Sequence, residues 1–205
     1  LNAETLEIVH EGRDSREWIH VAKFSPDGKL FIVGSEDKEI LVYDIAKGFK
    51  LKSKCQKHKS PIIACDFSKC STWIRSNCGN NDLNYFRAGN GEVNAGGASD
   101  LKDEEWETFT APCRWGTQGM WSNKQRRHTN ASDVSKDGRL LAVVSESGNL
   151  EIFKHPCVDK GATPIVVLAH SCHATSVRFS VDGKYIYTVG GRDRLMMQWR
   201  VTSVE

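Results

Sequence analysis

The sequence predicts an all-β fold made of about four units, each with up to four short antiparallel strands. A five-residue phrase recurs in four spellings, the clearest being Phe24-Ser25-Pro26-Asp27-Gly28, and its copies begin at residues 24, 67, 134 and 179. Each copy is followed by an apolar run, a polar turn and a second short run. Two of the intervals, 43 and 45 residues, match the roughly 40–45-residue period of a four-stranded propeller blade. The remaining interval is longer and indicates an insertion.

The first unit, 17–56, contains three strand-like runs and a basic fourth run. Residues 19–24 alternate between apolar and polar side chains, whereas 30–33 and 40–43 are almost wholly apolar. Alternation is typical of a half-buried strand, and short apolar runs suit inner strands that are covered on both faces. An Asp-Gly pair supplies the first hairpin turn. Lysines alternate with other residues in the fourth run, as expected of an outer strand.

The second unit, 57–109, is less regular, and the insertion follows it at 110–128. Its first three strands are predicted at 61–67, 71–76 and 83–87. A glycine-rich segment comes next, which we interpret as a flexible connection. A nucleotide-binding loop is not predicted there, because the segment lacks the lysine and following helix of such a loop. The fourth strand is therefore predicted at 106–109, where a short aromatic segment resumes.

Two further units follow at 129–169 and 170–205, the last with three recognisable strands. The amino-terminal segment 1–16 contains one apolar run without partners of its own. We predict that it is an outer strand, either of a preceding blade or closing the last one. Four blades permit a closed ring, but four is the lower limit of the range of about 4–8. Because the chain starts at Leu1, we expect a partial propeller within a larger six- to eight-bladed or tandem one.

Composition favours a folded chain that binds neither nucleic acid nor membrane. The 205 residues are 39% hydrophobic, and the formal net charge is only +2, too small to indicate a nucleic-acid partner. No apolar stretch approaches the roughly 18 residues of a membrane span. The seven cysteines are odd in number and include no Cys-x-x-Cys pair. They indicate reduced thiols in a cytoplasmic protein, without a disulfide framework or cofactor.

Several segments resemble the echinoderm microtubule-associated protein-like family of WD-repeat proteins. His170 to Phe179, Gly190 to Asp193 and Met197 to Arg200 resemble the family's last WD repeat. Leu101 to Thr110, followed by Gly119 to Trp121, resembles its characteristic insertion. The resemblance covers nearly the whole chain and implies the carboxy-terminal part of the second of two joined propellers. It also implies a cytoskeletal protein that associates with microtubules or tubulin, although much of the family's microtubule attachment lies in an amino-terminal region absent here.

Five polar and aromatic residues match the hydrogen-bonded network that ties strands together in WD blades. His170, Asp193 and Trp199 form the clearer set, and His58 with Asp82 is a weaker echo. A buried imidazole needs partners for both nitrogens, and an aspartate in the adjacent turn supplies an acceptor. The alternative is a catalytic His–Asp pair, but the sequence shows no nucleophile at a matching position, and a dyad alone is not a site. We therefore favour a structural role and predict no enzyme activity.

A metal site is also not predicted from the sequence. His170, Cys172 and His173 are potential ligands and lie close together. Their spacing fits no standard zinc site.

The basic fourth run of the first unit has two interpretations. Lys50, Lys52 and Lys54 lie on one side of an outer strand. They either contact an acidic partner such as the tubulin tails, in a salt-sensitive manner, or protect the sheet edge from aggregation. Edge protection is favoured, because every propeller blade has an outer strand.

The insertion supplies a second candidate partner surface. Aromatic residues and methionine are enriched at interface cores, and basic residues beside them would form a rim. The alternative is that the apolar members cover a seam between blades or between propellers. The residues are Trp115, Met120, Trp121, Lys124, Arg126 and Arg127.

Together these features predict a noncatalytic platform of a microtubule-associated protein in the cytoplasm, at the cytoskeleton or axoneme. Its partners would be tubulin, microtubules or a microtubule-bound protein, and this piece is not expected to form oligomers. The alternative is a general WD-repeat scaffold in ciliary or signalling assemblies, without tubulin contact. A propeller enzyme, the third hypothesis, would need convergent ionisable residues that the sequence does not show.

Overall fold

The computed structural model describes residue 2 and residues 4–122 and 129–202. The chain divides into two compact units, 1–107 and 108–205, and each contains two antiparallel sheets. These four sheets of three or four strands confirm the predicted all-β fold with about four blades. None of the helices in the described residues is long and apolar enough to cross a membrane.

The first sheet of unit 1 has four strands in sequential order. They are β1 (Ile19–Phe24), β2 (Leu30–Ser35), β3 (Glu39–Asp44) and β4 (Lys50–Gln56). β2 and β3 are buried along most of their length, which explains their continuous apolar sequence. β4 is the outer strand, and its exposed positions carry the predicted lysines.

The recurring phrase forms the turn between the first two strands of a sheet. The Ser25 hydroxyl donates to Asp27 Oδ1 over 2.6 Å and accepts the Leu30 backbone N–H over 2.9 Å. Gly28 has a φ of +69°, a conformation that favours glycine. The same serine–aspartate hydrogen bond recurs at Ser135–Asp137 and Ser180–Asp182. The phrase is thus a turn signal and fixes where each first hairpin begins.

The second sheet of unit 1 has three strands, β5 (Ile62–Phe67), β6 (Trp73–Cys78) and β7 (Leu83–Arg87). The prediction of a fourth strand at 106–109 in this sheet is wrong. Instead, Val93 pairs with Phe86 beside β7, and Trp106 pairs with Ser68 at the end of β5. The chain returns to β7 at once through Gly91, which has a φ of +75°. The glycine-rich segment therefore makes the turn and occupies the outer position.

Unit 2 contains the two remaining sheets. The third sheet has four strands, β8 (Thr129–Val134), β9 (Leu140–Ser145), β10 (Asn149–Lys154) and β11 (Ile165–Leu168). The fourth sheet has three, β12 (Ala174–Phe179), β13 (Tyr185–Gly190) and β14 (Met196–Arg200). Three strands are also what the sequence predicts for this last sheet.

Apolar side chains from both sheets meet within each unit. In unit 1, Ile32 and Ile40 of the first sheet share a buried cluster with Phe67 and Phe86 of the second. In unit 2, Leu150 of the third sheet shares another with Val177 of the fourth. This shared burial removes apolar surface from water and holds the two sheets of each unit together.

Two short helices and the amino-terminal segment complete the described chain. α1 (Gly97–Asp100) follows the second sheet within unit 1, and a 3₁₀ helix (Trp115–Ser122) lies in the insertion. The described residues of 1–16 form no strand here, and their apolar side chains are exposed. That this segment is an outer strand of another blade stays a prediction, as do the blade boundaries.

Candidate functional site

The fourth sheet contains a chain of hydrogen bonds that runs from a carboxylate through a buried imidazole and hydroxyl to an indole. His170 Nδ1 lies 2.8 Å from Asp193 Oδ2, and His170 Nε2 lies 2.9 Å from the Thr188 hydroxyl. Trp199 Nε1 donates to the same hydroxyl over 3.0 Å. Since a carboxylate only accepts, the imidazole proton is on Nδ1 and Thr188 donates to Nε2. The structure thus brings together His170, Asp193 and Trp199, and it adds Thr188, which the sequence analysis missed.

The close approach of Asp193 to His170 depends on glycine at the end of β13. A Cβ placed on Gly190 would lie 1.9 Å from Asp193 Oδ1 and 2.5 Å from His170 Nδ1. Both distances are far shorter than van der Waals contact. Because Gly190 has no side chain, there is room for the Asp193 carboxylate to contact the His170 imidazole.

The second sheet carries a related network with different members. His58 Nε2 lies 2.7 Å from the Ser76 hydroxyl, and the Asn84 amide nitrogen lies 3.1 Å from His58 Nδ1. The His58–Ser76 and His170–Thr188 pairs have the same sequence separation, 18 residues. Asp82 contacts the Cys78 thiol, with 3.7 Å between Sγ and Oδ2. Burial lowers the pKa of His58 to about 4, against the opposing effect of the Asp82 charge.

These networks resemble catalytic triads in their atoms but not in their accessibility. The sequence analysis found no nucleophile, whereas the structure places the Thr188 and Ser76 hydroxyls within hydrogen-bond distance of the two imidazoles. Both hydroxyl residues are fully buried, and His170 is only 2% exposed. A nucleophile must reach its substrate. This geometry therefore ties strands together and offers no position for a reacting group.

A buried ion cluster between the two sheets of unit 1 was not predicted. Asp66 is fully buried and accepts from Arg75 Nε and from Lys23 Nζ, each over 3.0 Å. The Arg75 guanidinium stacks on the Trp106 ring, 4.3 Å from its centroid. Two cations on one carboxylate offset the cost of burying it. The only sequence signal was a charged residue within an apolar strand, and it did not identify the partners.

The basic row on β4 is accessible. Lys50, Lys52 and Lys54 are all exposed. Lys54 forms an ion pair with Glu39 over 3.3 Å. In the part of the chain that the structure describes, Lys50 and Lys52 have no ion pair. The row therefore presents at least two uncompensated positive charges on an outer strand.

The insertion separates into exposed and buried members. Trp115 is 48% exposed, and Trp121 is half-buried against the core of unit 2. Met120 is fully buried with Leu141 and Phe153, so its predicted place on a partner surface is wrong. A backbone hydrogen bond from Gly119 to the Cys157 carbonyl holds the 3₁₀ helix against this core and turns Met120 inward. Lys124, Arg126 and Arg127 lie outside the described residues.

The repeated antiparallel sheets and the His–Thr–Trp network define a protein built from WD-type propeller blades. The family model of the echinoderm microtubule-associated protein second beta-propeller matches residues 1–201. The chain therefore belongs to this family, which confirms the resemblance found in the sequence.

Three relatives illustrate the range of similarity. Echinoderm microtubule-associated protein-like 3 of Mus musculus is 32% identical over 98% of this chain and 23% of the relative. Echinoderm microtubule-associated protein-like 2 of Homo sapiens is 33% identical over 98% of the chain and 31% of the relative. The ciliary WD repeat-containing protein ctxp80 of Euplotoides octocarinatus is 33% identical over 91% of the chain and 26% of the relative. The chain thus spans about a quarter to a third of these relatives, two of which are named as microtubule-associated proteins.

Proposed function

We propose that this chain is a noncatalytic platform that binds tubulin, microtubules or a microtubule-bound partner through acidic surfaces. The observation that carries the proposal is the exposed lysine row on β4, in a family named for microtubule association. Cytoplasmic location at the cytoskeleton or axoneme belongs to the same proposal. The proposal also includes that this piece acts without forming oligomers.

Charge at β4 supports an acidic partner. Lys50 and Lys52 are exposed and lack ion pairs among the described residues, so no local carboxylate has to be displaced when a partner binds. Lys47, Lys57 and Lys59 are also exposed nearby. Such a cluster attracts acidic segments by an interaction that weakens with salt. Edge protection would use the same lysines but would not require a partner.

The noncatalytic part of the proposal is supported by burial. The hydroxyl groups that approach the two histidines are shielded from solvent. A substrate would have to open the strands to reach them.

A second candidate is a ciliary scaffold without direct tubulin contact. It is favoured by the similarity to a ciliary WD-repeat protein and by the exposed indole of Trp115. Aromatic side chains are enriched at protein interfaces. In this case binding would depend on Trp115 and would be largely insensitive to salt.

Co-sedimentation with stabilised microtubules, together with a free-tubulin pull-down, tests the proposal. The test variant changes Lys50, Lys52 and Lys54 to Glu and moves the formal net charge from +2 to about −4, because each change replaces a positive with a negative charge. We expect binding to fall at least about tenfold, with an unchanged melting temperature, since the three side chains are exposed.

The matched control changes three exposed lysines in hairpin turns, Lys29, Lys136 and Lys184, to Glu. It has the same net charge as the test variant and should retain most of the binding. Equal losses in both variants would mean that only overall charge matters. Full binding by the β4 variant would leave edge protection as the role of the row.

A further inference from the structure

Three side chains with metal-binding donor atoms meet at one end of the second sheet. The donor atoms of His58, Cys78 and Asp82 all lie within 4.8 Å of one another. His58 and Cys78 are buried, whereas Asp82 is exposed. His58 precedes β5, Cys78 ends β6 and Asp82 lies in the turn before β7. The cluster therefore joins three separate segments of the sheet.

Comparison with the fourth sheet shows how the cluster arises. Cys78 and Gly190 occupy the same register position, since Cys78 pairs with Ile62 at the start of β5 and Gly190 with Ala174 at the start of β12. In the fourth sheet, the space above Gly190 lets the carboxylate bond to the imidazole directly. Cys78 fills the corresponding space with a thiol. Its sulfur, rather than the imidazole, is the atom that Asp82 contacts.

The hydrogen bonds of His58 indicate which ring nitrogen has the lone pair that a cation would use. An amide nitrogen only donates, and Asn84 Nδ2 lies 3.1 Å from His58 Nδ1 and 3.4 Å from Nε2. We assign the accepting lone pair to Nδ1, the nearer nitrogen, and a cation bound there would displace the hydrogen bond from Asn84. The proton is then on Nε2, which donates to the Ser76 hydroxyl over 2.7 Å. Metal-binding histidines commonly donate their other ring N–H to such a partner, which fixes the tautomer and the ring orientation. Ser76 already supplies this support.

We propose that His58 Nδ1, the Cys78 thiolate and the Asp82 carboxylate bind a borderline-soft divalent cation such as Zn²⁺, with water as the fourth ligand. Zinc lies about 2.0–2.3 Å from nitrogen, oxygen and sulfur ligands, so tetrahedral neighbours are about 3.3–3.7 Å apart. The sulfur–oxygen pair, at 3.7 Å, already fits. The other two pairs lie within 4.8 Å, so they have to close by at most about 1.5 Å to reach zinc-ligand spacing. The thiol proton passes to solvent on binding.

The cation would strengthen the sheet by linking the segment before β5 to the turn between β6 and β7. A ligand that binds only the folded state stabilises it by RT ln(1 + L/Kd), where L is the concentration of free ligand, so the stability of the sheet should rise with the concentration of free cation. This role does not depend on the proposed binding of tubulin.

Titration of the reduced chain with Co²⁺ tests this site, because a cobalt–thiolate bond gives a charge-transfer absorption band. We expect saturation near one equivalent, displacement by Zn²⁺, and a rise in melting temperature with Zn²⁺. Cys78→Gly, which restores the arrangement at Gly190, should abolish the band. Asp82→Asn changes an exposed side chain and should lower the affinity at least about tenfold.

Cys70→Ser is the matched control, since Cys70 is an exposed thiol of the same unit whose sulfur contacts Glu104. The control should retain both the band and the affinity. A band that persists in Cys78→Gly, or that disappears in Cys70→Ser, would overturn the proposal. Unchanged affinity in Asp82→Asn would also overturn it, whether or not Cys78→Gly folds.

Discussion

The Thr188 hydroxyl joins His170 to Trp199, and its removal should destabilise the protein more than its size suggests. Thr188→Val keeps the side-chain shape but deletes the hydrogen bonds of 2.9 Å to His170 and 3.0 Å to Trp199. The buried His170 nitrogen is then left without its partner, which costs about 1–3 kcal/mol. Trp199 is half-buried and can recover part of its bond from water. We expect a total loss of about 2–4 kcal/mol in the free energy of unfolding.

Urea unfolding followed by circular dichroism measures this loss, and Thr188→Ser is the control. Serine keeps the hydroxyl and loses one methyl group, so it should cost about 1 kcal/mol. If valine were no more damaging than serine, the hydrogen bonds would contribute nothing measurable and the network argument would fail.

A double-mutant cycle separates the hydrogen bond from packing. The third sheet has Val143 and Phe153 at the register positions that Thr188 and Trp199 occupy in the fourth. Thr188→Val combined with Trp199→Phe reproduces that apolar pair. The double variant should be less destabilised than the two single changes added together, by about 1 kcal/mol. Strict additivity would show that the indole and the hydroxyl do not interact.

Three further predictions concern stability, each measured as a change in unfolding free energy. His58 has a pKa of about 4 in the folded protein and about 6.5 in the unfolded chain. Its contribution to the free energy of unfolding is therefore complete above about pH 6.5 and is lost as pH falls towards 4. The loss, discounted for partial solvent access, is about 2 kcal/mol and should disappear in His58→Gln. Gly190→Ala should cost at least about 2 kcal/mol because its Cβ would collide with the His–Asp pair, whereas Gly89→Ala, with nothing within 4 Å, should be nearly neutral. Met120→Ala should cost about 2–5 kcal/mol, whereas Trp115→Ala should leave stability nearly unchanged; equal effects would contradict the burial of Met120.

The sequence predicted what depends on local pattern. The Ser-x-Asp-Gly turn and the apolar runs around it fix strands such as β2 and β3 without reference to distant residues. The family followed from side chains at fixed offsets, as at His170 and Trp199. Local pattern did not predict the pairing of Val93, a single apolar residue in a polar segment that occupies the outer position of the second sheet. Pairing there depends on the sharp turn at Gly91, which a search for apolar runs does not detect.

Contacts between side chains of different blades were harder to predict from the sequence, and one repeat position shows why. The residue before the phrase is charged in all four copies, as Lys23, Asp66, Asp133 and Arg178. Lys23 binds Asp66 across the two sheets of unit 1. In unit 2, burial raises the pKa of Asp133, and the charge of Arg178 on the adjacent sheet opposes that rise.

Within each unit, this repeat position thus has a carboxylate in one sheet and a cation in the other. Each sequence segment alone shows only a charged residue in an apolar strand, which argues against burial. The contradiction disappears once the sheets of a unit are packed together, because Asp66 then pairs with Lys23 and Asp133 lies within the field of Arg178. Opposite charges at the equivalent positions of two repeats, as in Lys23 with Asp66 and Asp133 with Arg178, are therefore a sequence signal for sheets that pack together. This signal becomes visible only when the repeats are aligned with one another.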